Sequence, residues 1–332
     1  MSSGLEPAEP SAAFLEAIRK GERRELAQAI TMLESGRDDQ AEHGQQILEA
    51  LIPETGKAIR LGVTGPPGAG KSTLIETLGL RLVEQGHKVA VLAVDPTSPV
   101  SGGSILGDKT RMEVLSRHPS AFIRPSPSGS SLGGVAQRTR EAMLLCEAAG
   151  YDVVIVETVG IGQSQVAVAG MVDFFLLVLL LAGGDELQGI KKGVVELADG
   201  LVVNKADGAT AETAERTRMD YAGAMGVIRS LSATWSPPVM KVSAHTGDGV
   251  EELWGTVLEH RRTFEESGEL EARRRRQARD WMWSLREDGL KAAFRADPGV
   301  ADELLGLEAA VEARETTPGG AARRLLKRFL RG

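Results

Sequence analysis

Cysteine is nearly absent from this chain. Of 332 residues, Cys146 alone carries a thiol. A single thiol forbids an intrachain disulfide and any cysteine-built metal cluster, and it fits a reducing compartment. The five histidines, His43, His87, His118, His245 and His260, are scattered and nowhere at metal-ligand spacing. Aromatic residues are scarce at 4%, whereas glycine is plentiful at 39 residues, which points away from a β-sandwich and toward a Gly-looped α/β protein. There is no excess of positive charge. The balance of 39 basic and 46 acidic side chains leaves a net −7, a poor match to nonspecific nucleic-acid binding. Long apolar runs are also missing. The longest, residues 174–182, holds nine residues, about half of a membrane span. It reads as a strand buried on both faces of a parallel sheet. Residues 1–11 are polar, with Glu6, Glu9 and two prolines, and lack the basic-then-apolar order of a secretory signal. The expectation is a cytoplasmic protein with neither membrane nor nucleic acid as a partner.

What the chain does contain is enough apolar residue, 42%, for a packed core. Its length suits one large α/β domain with additions, or two domains. Charge is distributed unevenly. Residues 1–56 hold eleven acidic and five basic side chains, and residues 261–332 hold thirteen acidic and sixteen basic ones. Both ends carry apolar residues at helical spacing, such as Leu26, Ile30 and Leu33, or Met282, Leu285 and Leu290. Between them, short β-rich runs at 60–64, 88–94, 121–124, 152–157, 174–181, 200–204 and 239–242 alternate with helical stretches at 71–85, 134–149 and 209–229. That alternation predicts a mostly parallel sheet covered on both faces.

The strongest chemical signal follows the first strand: Gly65-Pro66-Pro67-Gly68-Ala69-Gly70-Lys71-Ser72-Thr73. It satisfies the P-loop pattern in the required strand-before, helix-after context. Glycines let successive backbone N–H groups turn inward around a polyphosphate, and the helix beginning near Lys71 aims its positive end at it. Lys71 supplies a mobile charge for the β- and γ-phosphates, and the Ser72 hydroxyl ligates Mg²⁺. The alternative is a Gly-rich turn with an exposed lysine.

Base preference is read further along. Asn204-Lys205-Ala206-Asp207 follows an apolar strand, and Ser243-Ala244 follows the next. A carboxylate such as Asp207 accepts from both the ring N–H and the exocyclic amine of guanine, whereas adenine offers no 2-amino group. Lys205 would cover the base, Asn204 would tie its loop to the P-loop, and Ser243-Ala244 stands where GTPases place a backbone donor for the guanine oxygen. Glu157-Thr158-Val159-Gly160 ends another strand; Glu157 can hold Mg²⁺ directly or through water, and the Gly160 N–H can meet the γ-phosphate. The next residue, Ile161, replaces the water-orienting Gln of Ras-type enzymes, which predicts slow intrinsic hydrolysis unless another group helps. Asp95 and Asp108 are candidates for a metal or water role, against a plain capping role. The Gly- and Lys-rich loop at 183–193 suggests a nucleotide-responsive switch. Cys146 reads as core, Arg273-Arg274-Arg275-Arg276 as a solvated helix face or a subunit contact, and Trp281 and Trp283 as a buried interface between helices.

Taken together, these motifs resemble the MeaB/ArgK/MMAA GTPases, the G-protein chaperones of methylmalonyl-CoA mutase. Besides the P-loop, the resemblance rests on Val94-Asp95-Pro96-Thr97-Ser98, Gly107-Asp108-Lys109-Thr110-Arg111, Glu157-Thr158-Val159-Gly160, Gly162-Gln163-Ser164, the 185–193 loop and Trp281-Met282-Trp283. It implies an α/β fold of SIMIBI-type P-loop NTPase class, with an N-terminal helical extension (1–56), a GTPase domain (57–264) and a C-terminal helical dimerisation arm (265–332). It implies a homodimer that hydrolyses GTP to GDP and associates with an adenosylcobalamin-dependent acyl-CoA mutase, gating cofactor loading and protecting or reactivating that enzyme. It further implies that Asp95, Asp108 and Glu157 surround the Mg²⁺, and that Lys191 moves toward the nucleotide when the mutase binds. One departure is Leu181-Ala182, which replaces the Pro-Gly expected to open the third switch. Two other readings share the P-loop. A nickel-type metal-delivery GTPase needs a metal-binding tract that the scattered histidines and lone cysteine do not supply. A transport-associated kinase or ATPase is opposed by Asn204 to Asp207.

Overall fold

The computed structural model describes residues 10–94, 112–125, 132–158, 163–181, 192–226 and 232–330. Asp95, Asp108, Gly160, Ile161 and Lys191 lie outside the described residues, as does most of the 183–193 loop. Three helices, α1 (Ala12–Arg19), α2 (Arg23–Leu33) and α3 (Asp38–Leu51), precede strand β1 (Ile59–Thr64). The chain then alternates through α4 (Lys71–Glu84), β2 (Val89–Val94), α5 (Glu113–Arg117), β3 (Ala121–Arg124), α6 (Leu132–Ala148) and β4 (Val153–Thr158). It continues with α7 (Gln163–Ala169), β5 (Phe174–Leu179), α8 (Lys192–Val195), β6 (Gly200–Val203), α9 (Ala211–Met225) and β7 (Val239–Lys241). Helices α10 (Val250–Ser267), α11 (Glu269–Ala296), α12 (Pro298–Glu312) and α13 (Pro318–Phe329) follow.

The seven strands form one sheet in the order β3-β2-β4-β1-β5-β6-β7, and each neighbouring pair is parallel. Helices cover both faces, so strand residues of either parity are buried and the alternation of a half-wet sheet is lost. In β5, Phe174, Leu176 and Val178 face the core shared with α4 and α10, while Phe175, Leu177 and Leu179 face the core shared with α6. The N-terminal helices join that second core. Ile18, Leu26, Ile30, Ile47 and Leu51 are fully buried in it together with Met143 and Cys146. Since all strands run one way, the P-loop after β1, Glu157 near the end of β4 and the loops after β6 and β7 stand at the carboxyl edge of the sheet, where ligands of open α/β folds bind.

The chain divides into two compact units, Met1–Arg275 and Arg276–Gly332. The first carries the sheet. In the second, α12 and α13 enclose a small core of Val300, Leu307, Ala321 and Leu325, with Phe294 and Phe329 meeting edge to face at 5.4 Å. Asp297 and Thr317 cap the two helices, accepting from Val300 N at 2.8 Å and Gly320 N at 3.1 Å. No helix among the described residues is long and apolar enough to cross a membrane.

Two expectations are corrected here. Arg273 and Arg274 are not a solvated face or a subunit contact. The Arg273 guanidinium forks onto Asp199 (2.9 Å to each oxygen), and Arg274 onto Asp173 (2.8 and 2.6 Å). Each aspartate stands just before its strand and accepts a neighbouring strand's N–H, Asp173 from Arg60 and Asp199 from Phe175. The arginines therefore complete charged rungs at the amino edge of the sheet. Burial alone would raise the Asp199 carboxyl; the His260 ring at 3.5 Å and the Arg273 fork outweigh it and hold the group below the ordinary value. Of the two tryptophans expected at a buried interface, Trp283 is 44% exposed, whereas Trp281 is half-buried.

Candidate active site

The P-loop connects β1 to α4, and its shape depends on glycine. Gly65 has φ +150° and a Cβ there would collide with the Val178 carbonyl. Gly70 has φ +83° and a Cβ would collide with the Asn204 amide. Lys71 opens α4, is buried, and its ammonium donates to the carbonyls of Gly65 (2.9 Å) and Pro66 (3.2 Å). The lysine therefore points back along the loop toward the place a polyphosphate would occupy. Next to it, the Ser72 hydroxyl donates to Glu157 Oε1 at 2.8 Å, and Glu157 is itself buried near the end of β4. Thr158 and Thr64 share a hydroxyl hydrogen bond of 2.8 Å, and Gln165 Nε2 donates to Thr64 Oγ1 at 3.0 Å. The strand ends that carry the P-loop and Glu157 are thus locked side by side.

The second half of the site is built from the loops after β6 and β7. Asn204 joins it to the first. Its amide nitrogen donates to Ala69 O at 2.9 Å, and its Oδ1 accepts from Lys205 N at 2.8 Å and Ala244 N at 3.1 Å. Lys205 sits in the left-handed region at φ +63°, a strained position for a long side chain, and Thr210 Oγ1 holds its carbonyl. The Ser243 hydroxyl donates to Asp207 Oδ1 at 2.7 Å, fixing the carboxylate plane, and Ala206 N reaches Val242 O at 3.0 Å. Asn204, Lys205, Asp207, Ser243 and Ala244 are thereby gathered into one neighbourhood, and Asn204 links that neighbourhood to the P-loop. Among the described residues no cluster of three or more His, Cys, Asp or Glu stands together. Sequence reasoning passed over Thr64, Thr77 and Arg81, because an ordinary hydroxyl or guanidinium on a regular element carries no local signal.

A wholly parallel sheet, a glycine cradle with its lysine at a helix N-terminus, and an Asn-Lys-x-Asp loop bound to that cradle define a P-loop GTPase of SIMIBI type. The chain belongs to the MeaB family. The model of that family, described as methylmalonyl Co-A mutase-associated GTPase MeaB, matches residues 26–299. The chain is 55% identical over 309 residues to a Caulobacter vibrioides protein named as a GTPase, covering 93% of this chain and 94% of that one. It is 46% identical over 320 residues to the Mus musculus methylmalonic aciduria type A homolog, mitochondrial, covering 93% and 77%. A solved structure described as LAO/AO transport system kinase is similar with a TM-score of 0.77 and 38% identity, covering 97% of each chain. The protein is a guanine-nucleotide-binding GTPase.

Proposed function

We propose that this GTPase serves an adenosylcobalamin-dependent acyl-CoA mutase of the methylmalonyl-CoA mutase type, gating cofactor loading and protecting or reactivating that enzyme. Two observations support the reading. The Asn204 bridge, which makes one rigid unit of a phosphate cradle and a guanine loop, carries the nucleotide half. The match across residues 26–299 to a family described as mutase-associated carries the partner half. The kinase description of the similar solved structure is not transferred, because an Asp207 carboxylate held by Ser243 suits the two N–H donors of guanine.

Hydrolysis follows from the geometry. Lys71 brings positive charge to the β- and γ-phosphates, and the N-terminus of α4 adds its dipole. Ser72 Oγ and Glu157 Oε1, 2.8 Å apart, are hard oxygen donors of the kind Mg²⁺ takes. Mg²⁺ retains waters and draws further ligands from phosphates, so two protein oxygens fit it without a cage. When bound, the ion neutralises phosphate charge. We assign Asp95 and Asp108 to the same metal or its waters, the Gly160 N–H to the γ-phosphate, and Lys191 to a partner-driven switch that supplies the help missing at Ile161.

The architecture is proposed to comprise a helical extension (1–56), a GTPase domain (57–264) and a dimerisation arm (265–332), working as a cytoplasmic homodimer. Apolar side chains left exposed in the second unit, Leu305 at 76% and Leu330 at 80% among them, support the arm. Adding the mutase is expected to raise GTP turnover and alter cofactor release, with a nonhydrolysable GTP analogue separating binding from hydrolysis. No change in either quantity removes the mutase assignment.

A further inference from the structure

Helix α4 does more than begin at the P-loop. Thr77, Arg81 and Gln85 stand four residues apart and so share one helix face. That face meets the segment after β7. The Thr77 hydroxyl donates to Ala244 O at 2.7 Å, Arg81 Nη2 donates to Gly247 O at 2.8 Å, and Gln85 Nε2 reaches Glu251 Oε2 at 3.5 Å. Ala244 is therefore held at both polar groups, its carbonyl by Thr77 and its N–H by Asn204 Oδ1 at 3.1 Å. Asn204 in turn holds Ala69 O of the P-loop, whose own helix carries Thr77. The hydrogen bonds close a circuit that runs from the P-loop through Asn204 and Ala244 to α4 and back to the P-loop.

We propose that Thr77 is a positioning residue for guanine recognition, setting the orientation of the Ala244 peptide relative to the phosphate cradle, with Arg81 as its support. The inference rests on the reading of Asn204 and Asp207 as the guanine subsite, with Ala244 acting through its N–H bond to Asn204. Its physical basis is preorganisation. A nucleotide has a fixed span between base and phosphates, so a base loop rigidly tied to the phosphate helix loses less freedom on binding. None of the atoms in the tie belongs to Lys71, Ser72 or Glu157, the groups assigned to the phosphates and the metal. Loosening it should weaken nucleotide affinity and leave the chemical step alone.

The test uses the full chain with fluorescent GDP and ADP for affinity and steady-state GTP hydrolysis for KM and kcat. Thr77→Val, which keeps the shape and removes the hydroxyl, is expected to weaken GDP binding and raise KM for GTP by about tenfold, the loss of one well-formed hydrogen bond. In the same variant kcat at saturating GTP stays within about twofold. Thr77→Ser restores affinity, and Arg81→Met reproduces the loss more weakly. Unchanged GDP affinity in Thr77→Val, or a Thr77→Ser as impaired as Thr77→Val, overturns the proposal; so does a kcat that falls as far as affinity. If the unsubstituted protein itself fails to prefer GDP over ADP, the guanine-subsite reading fails first, which distinguishes the two.

Discussion

The two edges of the sheet are both rich in polar groups, yet they are wired differently. At the carboxyl edge each tie has at least one neutral partner: Asn204 to Ala69, Thr77 to Ala244, Ser72 to the Glu157 carboxylate. At the amino edge they are buried ion pairs: Arg60 with Glu147, Arg274 with Asp173, Arg273 with Asp199. The difference shows how the fold separates holding from acting. Such ties can be satisfied completely while charged groups such as Lys71 and Asp207 stay oriented toward a ligand. Buried opposite charges satisfy one another and are spent on position alone.

The largest expected effect breaks the amino edge. Arg60 binds Glu147 through two bonds of 2.6 and 3.1 Å, and the Glu147 side chain is essentially excluded from solvent. Arg60→Met leaves that buried carboxylate without its arginine, with the Gly56 N–H still donating to it, so denaturant unfolding should register a loss of about 3 kcal/mol. Adding Glu147→Leu should recover much of it, while GTP KM in the surviving folded protein is unchanged. A stable Arg60→Met with impaired GTP binding would erase the distinction between the edges.

Lys71→Ala strikes the other edge. Turnover is expected to fall by about 10²–10³-fold, the cost of removing one preorganised charge, with the midpoint of unfolding little changed. A smaller effect is expected from Asp207→Asn, which keeps the shape of the side chain but replaces a double acceptor. GTP affinity should drop by roughly tenfold or more and ATP affinity should not, as measured by competition binding. Tighter ATP than GTP binding in the unsubstituted chain would contradict the guanine assignment.

An effect confined to stability sharpens the comparison from a buried position on a helix. Glu141, on α6, has neither edge's solution. Burial pushes its carboxyl up from 4.5 to about 7, against the hydrogen bond from Gln137 and the charge of Arg138. A carboxyl whose folded value lies above its unfolded one stabilises the fold in its neutral form. That contribution is complete below 4.5 and is lost as pH rises to about 7. Glu141→Gln should therefore flatten the stability profile between those values and raise stability at pH 8 by about 2 kcal/mol. An unchanged pH profile would show that this carboxyl does not titrate differently in the two states.

Much of this was legible beforehand for identifiable reasons. The seven strand runs at 60–64, 88–94, 121–124, 152–157, 174–181, 200–204 and 239–242 each match an observed strand within two residues, because double-sided burial demands continuous apolar residues. Cys146 lies in the core, as its apolar neighbours indicated. The basic run at 273–276 was misread because four consecutive arginines look alike in sequence. Two of them meet aspartates 74 and 101 positions away.

The sequence by itself determined the parallel sheet, the phosphate cradle and the base loop, since apolar runs, glycine backbones and a helix start are local properties of short segments. Tertiary structure alone decided the strand order, the rungs made by Arg273 and Arg274, and the partnership of Thr77 with Ala244, 167 residues apart. Those depend on which polar groups folding carries out of water together, and a hydrogen bond chooses its partner by proximity in space.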